Sequence, residues 1–585
     1  MSFSWTYSRA LAAALLIMIV ILAKNVVYQS DDLLNANLPN PDSYYKLVLI
    51  KDYSPNHGFQ YIERDNAPEG SWIHWSIPHT WTILQFHKGL ILLGVDSDKA
   101  LLIAGGGLTL FSMFLLSIFL ALAIANFKSP IVTVISGLTL VTSAPLMGYG
   151  QLVQITHHIF MLVPLVAAAA CIFRVIENAH RGVDLLAGLL LGFALWVSPE
   201  TMPVVLALSA IRAAIALQIK PAGVVWPMAL GLLLMLVLAW LIDPPPPTFS
   251  AWALDHISFT WLLFGFFVAI ILLCVDLINI RNISIGRAVL ILSGLLVLLS
   301  MVWLVLVPGA LNGPSGLIPT ELKAIWWDQI QELKGVSQPS QWIAYLWLPL
   351  LGSLLLGYIA WRERSLWMIV LACSALIYGV LSANHIRMGA VATVMSALAL
   401  CVAASKLSVF SANNKADLSL KQQIFGLFLV VIAPLQVFIV MGLSEIEKGE
   451  ENKFSCNFQD VVPYLDNMPS GTYLVNINDA PRLLFYTDSN VIAGNYHHNV
   501  SGVLDVYKLW RGVDENEVAS ILSKRKVSHV LGCFPESAAY PEKSLAWYVQ
   551  SGTSSDLIEV IDFGATDLGW KLYGVGSGDI YKQDI

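Results

Sequence analysis

Charged residues are scarce in this chain. Asp, Glu, Lys and Arg make up 12% of its 585 residues, whereas soluble globular proteins carry about 25%, so an ordinary soluble protein is excluded. Lys and Arg form no basic cluster, and the formal net charge is −7. Because nucleic acids are bound through dense positive charge, no nucleic-acid partner is expected. The sequence also lacks an internal repeat of the kind that transporters show, which weighs against a transporter.

Cysteine is also sparse, with six residues in all. Four of them lie inside apolar runs, where a small soft side chain packs readily: Cys171, Cys274, Cys373 and Cys401. Cys456 and Cys533 lie in the less apolar C-terminal region. If that region faces an oxidising compartment, the two form a candidate disulfide. Two separate buried thiols are the alternative.

Long apolar runs, by contrast, fill most of the chain. Hydrophobic residues make up 56% of it, and runs of about 20 apolar residues recur as far as residue 443. They predict a polytopic α-helical membrane protein with about thirteen spans, near residues 9–27, 99–125, 130–147, 154–174, 183–198, 200–218, 222–242, 257–278, 287–307, 341–360, 365–382, 387–405 and 422–443. The first run is interpreted as an uncleaved anchor. One long kinked helix is the alternative around Ser198-Pro199-Glu200.

Lys and Arg occupy alternate loops, which predicts the orientation. With the N-terminus in the cytoplasm, the cytoplasmic loops hold Lys128, Arg174, Arg181, Arg212, Lys220, Arg281, Arg287, Arg362, Arg364, Lys406, Lys415 and Lys421. The opposite loops at 148–153, 198–200 and 243–256 contain neither residue type. The pattern and the odd number of spans predict a multi-pass protein whose C-terminal region lies outside the cytoplasm. In a Gram-negative bacterium this places the spans in the inner membrane and the C-terminal region in the periplasm.

The predicted domains are a membrane domain at 1–445, with a long first outer loop at 28–98, and a periplasmic α/β domain at 446–585. Residues 78–94 are amphipathic and predict a helix in the membrane interface. In the C-terminal domain, short apolar runs suggest strands at 472–477, 482–487, 490–494, 526–534, 557–563 and 570–575, and helices near 459–467, 499–511, 515–525 and 541–551. No tight metal cluster is evident there. Its polar motif, Tyr496 to Asn499, is either a turn satisfied by its own backbone or a lip that binds an acceptor.

Polar residues concentrate on the predicted outer face, where membrane-level ionisable groups are candidates for function. Four motifs there resemble those of the GT-C glycosyltransferases, the class of the oligosaccharyltransferase catalytic subunits: Asp42 to Tyr45, Pro68 to Pro78 with His74-Trp75-Ser76, Glu200 to Pro203, and Tyr496 to Asn499. The many spans, the acidic first loop, the interfacial helix and the outer C-terminal domain are also similar. The local match is closest to bacterial membrane proteins of this kind.

The resemblance implies an inverting transfer of a sugar from a polyprenyl-phosphate donor to a lipid, glycan or protein acceptor on the periplasmic face. Asp42 would be the base that deprotonates an acceptor hydroxyl. Glu200 and Glu332 would hold the acceptor or orient the base. Other substrate contacts are expected from Tyr45, His74, Trp75, Tyr496 and His497.

The donor phosphate would be neutralised by Arg387, with His157 or His158 assisting. In oligosaccharyltransferase-like members, an Asp-His-His motif and the first-loop Asp hold a divalent metal, Mg²⁺ or Mn²⁺. Here Thr156 stands in place of that motif's Asp, and threonine is a poor ligand for these ions. A metal held by Asp42 and His158 alone would be under-coordinated, so the resemblance leaves the metal open.

Three other functions stay open. One is a polysaccharide ligase or polymerase that uses a lipid-diphosphate donor. The second is a transporter for a lipid or solute, and the third is a scaffold whose C-terminal domain binds a partner. The charged residues gather at one face, whereas translocation pathways place them near the midplane. This distribution favours a transferase over a transporter.

Overall fold

A computed structural model describes residues 5–54, 58–127, 129–219, 223–244, 252–311, 318–407, 435–447, 456–512, 515–534, 544–545, 547, 557–562 and 570–575. Its contacts divide the chain into two units. The helical unit comprises Met1–Asp31, Trp75–Phe86 and Ile103–Gly449. The α/β unit comprises Asp32–His74, His87–Leu102 and Glu450–Ile585. Most of the first loop thus groups with the C-terminal region, whereas the predicted boundary placed it in the membrane domain.

Helices account for most of the chain before residue 448. They are α1 (Trp5–Leu34), α2 (Pro41–Lys51), α3 (Ile77–Leu92), α4 (Ser97–Ala125), α5 (Pro130–Val141), α6 (Ala144–Tyr149), α7 (His158–Arg174), α8 (Arg181–Val197), α9 (Met202–Gln218), α10 (Trp226–Ile242), α11 (Phe259–Ile280), α12 (Ile285–Leu306), α13 (Thr320–Ile325), α14 (Pro339–Glu363), α15 (Leu366–Asn384), α16 (Gly389–Leu407) and α17 (residues 435–447). The predicted interfacial helix corresponds to α3.

Eight helices within the described residues are long and apolar enough to cross a membrane. Every predicted span up to residue 405 contains a helix, although some, such as α7 and α10, are shorter. The predicted span 130–147 is divided into α5 and α6. Most of the predicted span 422–443 lies outside the described residues, which include it only from 435. The fold is therefore that of a polytopic helical membrane protein, as predicted.

Close helix packing in the helical unit depends on glycine. A Cβ atom on Gly188 of α8 would lie 2.0 Å from the Met228 carbonyl oxygen of α10. One on Gly231 of α10 would lie 2.3 Å from the Leu185 carbonyl oxygen of α8. Small residues at these crossings allow the backbones to approach, as is common between helices in lipid. In contrast, Ala288 is the one buried residue of the described helix α12. Because an apolar helix with so much exposed surface is unfavourable in water, α12 requires lipid around it.

The α/β unit is built on a five-stranded sheet in the order β4-β3-β5-β7-β6. The strands are β3 (Thr472–Leu474), β4 (Asn490–Val491), β5 (His529–Cys533), β6 (Leu557–Asp562) and β7 (Trp570–Val575). β3 pairs in parallel with β4 and β5, whereas β7 is antiparallel to β5 and β6. The helices are α18 (Ala480–Tyr486), α19 (Val500–Arg511) and α20 (Glu515–Lys524). The predicted C-terminal α/β region is thus confirmed.

One predicted strand is wrong, because residues 482–487 lie mainly in α18. Pro481 stands in the first turn of this helix, where its missing N–H costs nothing. The side chains of Leu483 and Leu484 are fully buried. A short apolar run does not distinguish a buried helix from a strand. The predicted helix at 541–551 lies almost wholly outside the described residues.

The first loop is joined to the sheet through its edge strand β4. The Ala67 N–H donates to the Val491 carbonyl at 3.0 Å, and the Val491 N–H donates to the Arg64 carbonyl at 2.9 Å. Arg64 also forms a bidentate pair with Asp52 at 2.7 and 3.0 Å. The segment that makes this contact lies between the two strands of a small antiparallel hairpin, β1 (Tyr61–Ile62) and β2 (Ser71–Trp72). These bonds explain why the first loop belongs to the α/β unit.

A disulfide links the segment before the sheet to the central strand β5. Cys456 and Cys533 are bonded, with their Cα atoms 6.1 Å apart, within the range that disulfides adopt. The bond joins the start of the described C-terminal region to the end of β5. The sequence left open a disulfide or two separate buried thiols, and the structure contains the disulfide.

A buried arginine also connects the first loop to the C-terminal region, and we expect a large stability loss on its replacement. The Arg525 guanidinium lies 2.7 Å from the Asp505 carboxylate and donates to Asn66 Oδ1 and the Ala67 carbonyl. Arg525→Met leaves Asp505 buried without this partner, so the unfolding free energy should fall by about 3–5 kcal/mol. Hydrogen exchange of the α19 amides measures this loss.

Lys524 provides the matched control for this prediction. Its ammonium lies 3.1 Å from the same Asp505 carboxylate, but its side chain is 58% exposed. Since exposed ion pairs contribute about 1 kcal/mol or less, Lys524→Met should change exchange of the α19 amides little. Equal protection losses in the two variants would contradict a dominant role for the buried guanidinium.

Candidate functional site

An ion pair between Glu200 and Arg387 is the first feature of the candidate site. Glu200 lies in the 3₁₀ turn that separates α8 from α9, and Arg387 lies in the 3₁₀ turn that separates α15 from α16. The two turns bring the guanidinium to 2.7 Å from the carboxylate, with about 27% and 28% of the side chains exposed. Neither group is deeply buried, so a ligand can reach the pair. The separate turn at Pro199–Thr201 also shows that the fifth and sixth predicted spans are two helices.

Glu332 and two tyrosines, Tyr149 and Tyr345, belong to the same electrostatic neighbourhood as this pair. The Tyr149 hydroxyl is within electrostatic range of Glu332, Arg387, Tyr345 and Glu200. The loop that carries Glu332 is held beside the end of α15, because Ile386 N–H donates to the Lys334 carbonyl at 3.1 Å. A second bond in this place joins Val336 N–H to the Ala383 carbonyl. The structure thus brings together three residues that the sequence proposed separately, Glu200, Glu332 and Arg387.

The two adjacent histidines lie next to Tyr149. His158 is buried and its ring stacks on Tyr149, with centroids 4.4 Å apart and planes at 8°. Its Nδ1 is 3.2 Å from the Thr156 hydroxyl oxygen. The ring of His157 lies 4.8 Å from that of His158. Both histidines therefore belong to the same part of the helical unit as Arg387.

The residues around His158 do not fit a Mg²⁺ or Mn²⁺ ion. These ions require several oxygen ligands, mostly carboxylates and water, but the oxygen next to His158 belongs to Thr156. Within the described ranges, no set of three His, Cys, Asp or Glu side chains gathers at His158. The stacking of its ring on Tyr149 instead explains its burial. We therefore assign no catalytic step to a metal at this position.

Asp42 lies in the α/β unit, in the first turn of α2. The Asn40 side chain caps this helix and accepts from the Asp42 N–H at 2.9 Å. The Asn495 amide donates to Asp42 Oδ1 at 3.2 Å. A helix N-terminus stabilises negative charge, and the amide fixes the direction of the carboxylate. Asp42 is therefore held as an oriented carboxylate.

A second carboxylate of the α/β unit, Asp65, is fully buried. It accepts hydrogen bonds from the Tyr45 hydroxyl at 3.1 Å, the Gly494 N–H at 3.0 Å and the Asn66 N–H at 2.9 Å. Burial raises the pKa of Asp65 to about 6, although these hydrogen bonds act in the opposite direction. Tyr45 is also fully buried. The Tyr45 hydroxyl orients the Asp65 carboxyl group. Tyr45 therefore has a positioning role, in addition to the contact with substrate that was predicted.

This buried carboxyl makes stability depend on pH. Because the folded protein holds the Asp65 proton up to pH about 6, against an ordinary pKa of 3.8, its contribution is fully present below pH 4 and is lost as the pH rises towards 6 and beyond. The difference corresponds to about 3 kcal/mol. Asp65→Asn keeps the shape and most hydrogen bonds but removes the charge. We expect its melting temperature, relative to the parent protein, to rise between pH 4.5 and 7; a constant difference would contradict the ionisation of Asp65.

The polar motif Tyr496 to Asn499 forms the turn before α19. The Tyr496 hydroxyl forms hydrogen bonds to both the backbone N–H and the Nδ1 of His74. The rings of His74 and His497 are 4.7 Å apart. His74 is the last residue of a segment of the α/β unit, and Trp75 is the first residue of the following segment of the helical unit. Tyr496, His74 and His497 thus lie together, and their contact with a substrate stays a prediction.

Several residues of these clusters were missed by the sequence analysis. Tyr149, Tyr345 and Asn495 carry no sequence signal beyond their positions near predicted outer loops. His498 was noticed as part of a motif but was not assigned a role. The sequence also does not indicate that Asp42 belongs to the α/β unit, whereas Glu200, Glu332, Arg387, His157 and His158 belong to the helical unit.

Solved structures of an archaeal oligosaccharyltransferase are similar to this chain. AglB from Archaeoglobus fulgidus in complex with an inhibitory peptide and a dolichol-phosphate has a TM-score of 0.64 and 15% identity, over 98% of this chain and 74% of that chain. The Archaeoglobus fulgidus oligosaccharyltransferase tethered to an acceptor peptide that contains the NVT sequon has a TM-score of 0.63 and 15% identity, over 99% and 74%. The complex of that enzyme with Zn and sulfate has a TM-score of 0.60 and 15% identity, over 96% and 73%.

The chain shares the fold of this archaeal enzyme. This likeness confirms the predicted architecture of a polytopic helical membrane protein with a C-terminal α/β region. No protein-family model and no curated protein matches the sequence. At 15% identity the likeness concerns the fold, so the chemistry must be argued from the side chains of this chain.

Proposed function

We propose that this protein is an integral-membrane glycosyltransferase that moves a sugar from a polyprenyl-phosphate donor to an acceptor hydroxyl at the periplasmic face of the bacterial inner membrane. The observation that carries the proposal is the cluster around Arg387. A cation held by Glu200, beside Glu332 and Tyr149, offers one charge-assisted site for a phosphate and two carboxylates for sugar hydroxyls. The fold, shared with an enzyme whose structure was solved with dolichol-phosphate, supports this interpretation.

The proposed reaction is an inverting displacement at the sugar C1. Asp42 accepts the proton of the acceptor hydroxyl, and the acceptor oxygen attacks C1 from the side opposite the phosphate. A new C1–O bond forms while the bond from C1 to the phosphate oxygen breaks, and the electron pair leaves with the polyprenyl phosphate. Arg387 neutralises the departing phosphate, with His157 or His158 assisting. No step in this scheme uses a metal.

Acceptor binding is assigned to the first loop and the turn before α19. His74, Trp75 and His497 supply aromatic faces and hydrogen-bonding groups, which suit a sugar or a peptide. Tyr45 and Tyr496 are buried and support this surface through their bonds to Asp65 and His74. Glu200 and Glu332 hold sugar hydroxyls or orient the base. The acceptor is a lipid, a glycan or a protein, and membrane lipids surround the exposed apolar helices.

The test uses the full-length protein in lipid nanodiscs with radiolabelled undecaprenyl-phosphate sugars and candidate acceptors of the three classes. The proposal requires a glycosidic product together with released polyprenyl phosphate. Adding Mg²⁺ or Mn²⁺ to metal-depleted protein should not increase the rate. Transfer from lipid-diphosphate donors alone would instead identify a ligase or polymerase. Movement of label into sealed vesicles without a glycosidic product would identify a transporter.

A further inference from the structure

Three histidine side chains converge in the α/β unit. His74 ends the first-loop segment of this unit, and His497 and His498 form the turn before α19. One ring nitrogen of each lies within 4.8 Å of those of the other two. The ring centroids of His497 and His498 are 4.5 Å apart with planes at 88°, and those of His74 and His498 are 5.6 Å apart. The three imidazoles therefore surround one small volume.

Tyr496 orients the first of these imidazoles. Its hydroxyl oxygen is hydrogen-bonded to both the backbone N–H and the ring Nδ1 of His74. A phenol oxygen has two lone pairs, so it can accept from the backbone N–H and from Nδ1–H at once. In the tautomer whose Nδ1 carries the proton, Nε2 of His74 keeps the lone pair that a metal needs. Metal-binding histidines are commonly fixed in this way, through a hydrogen bond from the second ring nitrogen.

We propose that His74, His497 and His498 bind one Zn²⁺ ion in the α/β unit. Three neutral imidazoles are a donor set that Zn²⁺ favours and that Mg²⁺ and Mn²⁺ do not. Nitrogens on a tetrahedral Zn²⁺ are about 3.3 Å apart, given Zn–N bonds of about 2.0–2.1 Å. Small ring rotations therefore bring these nitrogens, now within 4.8 Å, to bonding distance. The fourth position is filled by water or another oxygen.

Such a site has a structural role, because its ligands come from distant parts of the sequence. The ion would fasten the end of the first loop to the turn that begins α19. Both segments also carry proposed acceptor contacts. The site differs from the Mg²⁺ or Mn²⁺ position that the family resemblance implies, because it contains neither Asp42 nor His158.

Zinc binding can be tested without any donor or acceptor. The full-length protein, purified in detergent through a tag that lacks histidine, is stripped of metal and titrated with Zn²⁺ by isothermal calorimetry. We expect one Zn²⁺ per chain and a rise in melting temperature on binding. Co²⁺ as a probe should give the intense visible absorption of tetrahedral coordination. Binding well below one Zn²⁺ per chain, or a weak octahedral Co²⁺ spectrum, would overturn the proposal.

Variants assign the ligands. His74→Gln and His498→Gln should each weaken Zn²⁺ binding by at least about 100-fold, and Tyr496→Phe by about 10-fold or more, as loss of an outer-shell partner does. The control is His87→Gln, because His87 contacts Ser97 in the same unit but not the cluster. If the metal-free variants melt at the same temperature as the metal-free parent protein, they are folded. Parent-like affinity in both histidine variants would refute the site, and leave the proposed transferase function unaffected.

Discussion

Asp42→Asn should reduce sugar transfer by about 10²–10⁴-fold while the protein still folds. This is the range that a positioned general base contributes. The substitution keeps an oxygen that can accept from the Asn495 amide, at 3.2 Å in the present structure, so the local geometry survives. It removes only the ability to take a proton. Initial rates with radiolabelled polyprenyl-phosphate sugar, at saturating donor and acceptor, measure the effect on kcat.

Glu63→Gln is the control for Asp42→Asn. Glu63 is an exposed acidic residue in the same first loop, so its replacement changes the net charge equally and should leave the rate within about twofold. Asp42→Asn should also retain the melting temperature of the parent protein. If it turned over like the parent, Asp42 could not be the base and the central step of the mechanism would be lost.

The membrane fold could be predicted because its signals are local and redundant. A run of about 20 apolar residues indicates a spanning helix without knowledge of its neighbours. The C-terminal region carries weaker signals, since its elements are short. There, the run at 482–487 belongs to α18 because burial, and not local pattern, determined its conformation. The association of the first loop with β4 depends on backbone hydrogen bonds at Val491. A pattern of side chains does not predict such bonds.

The sequence allowed residues of the candidate site to be predicted, but not the contacts between them. Glu200 and Arg387 were each singled out because ionisable groups at membrane level are costly. Their pairing depends on how two turns between different helices meet, and that is a tertiary property. Tyr149 illustrates the limit, since a tyrosine near an outer loop is also expected as an ordinary interfacial residue. Its place beside Glu332 emerges only from the packed structure.

The ion pair between Glu200 and Arg387 bears on the presence of Thr156 where oligosaccharyltransferase-like members have an Asp. A transferase that cannot hold a divalent cation next to the leaving phosphate needs another positive charge there. In the proposed mechanism Arg387 supplies a permanent one, because its guanidinium does not lose its proton in proteins. In the absence of a donor this charge is balanced by Glu200 at 2.7 Å. A bound phosphate would compete with Glu200 for the same guanidinium.

This competition yields the second large prediction. Arg387→Gln should lower kcat/KM for the donor by about 10²–10³-fold, the usual effect of removing one strong donor from a developing negative charge. Arg387→Lys should recover part of the loss, because the charge remains while the planar fork is gone. Arg362→Gln is the matched control, since Arg362 is an exposed arginine on α14 that bonds to Tyr358.

Glu200→Gln tests whether the two residues act as a unit. If Glu200 acts by positioning Arg387, its replacement should change kcat/KM in the parent but add nothing to Arg387→Gln, because coupled residues are not additive. The donor KM should fall in Glu200→Gln alone, since the phosphate then no longer competes with the Glu200 carboxylate for the guanidinium. Independent, additive effects would separate the roles and assign Glu200 to the acceptor. A loss below about threefold in Arg387→Gln would remove Arg387 from the phosphate site altogether.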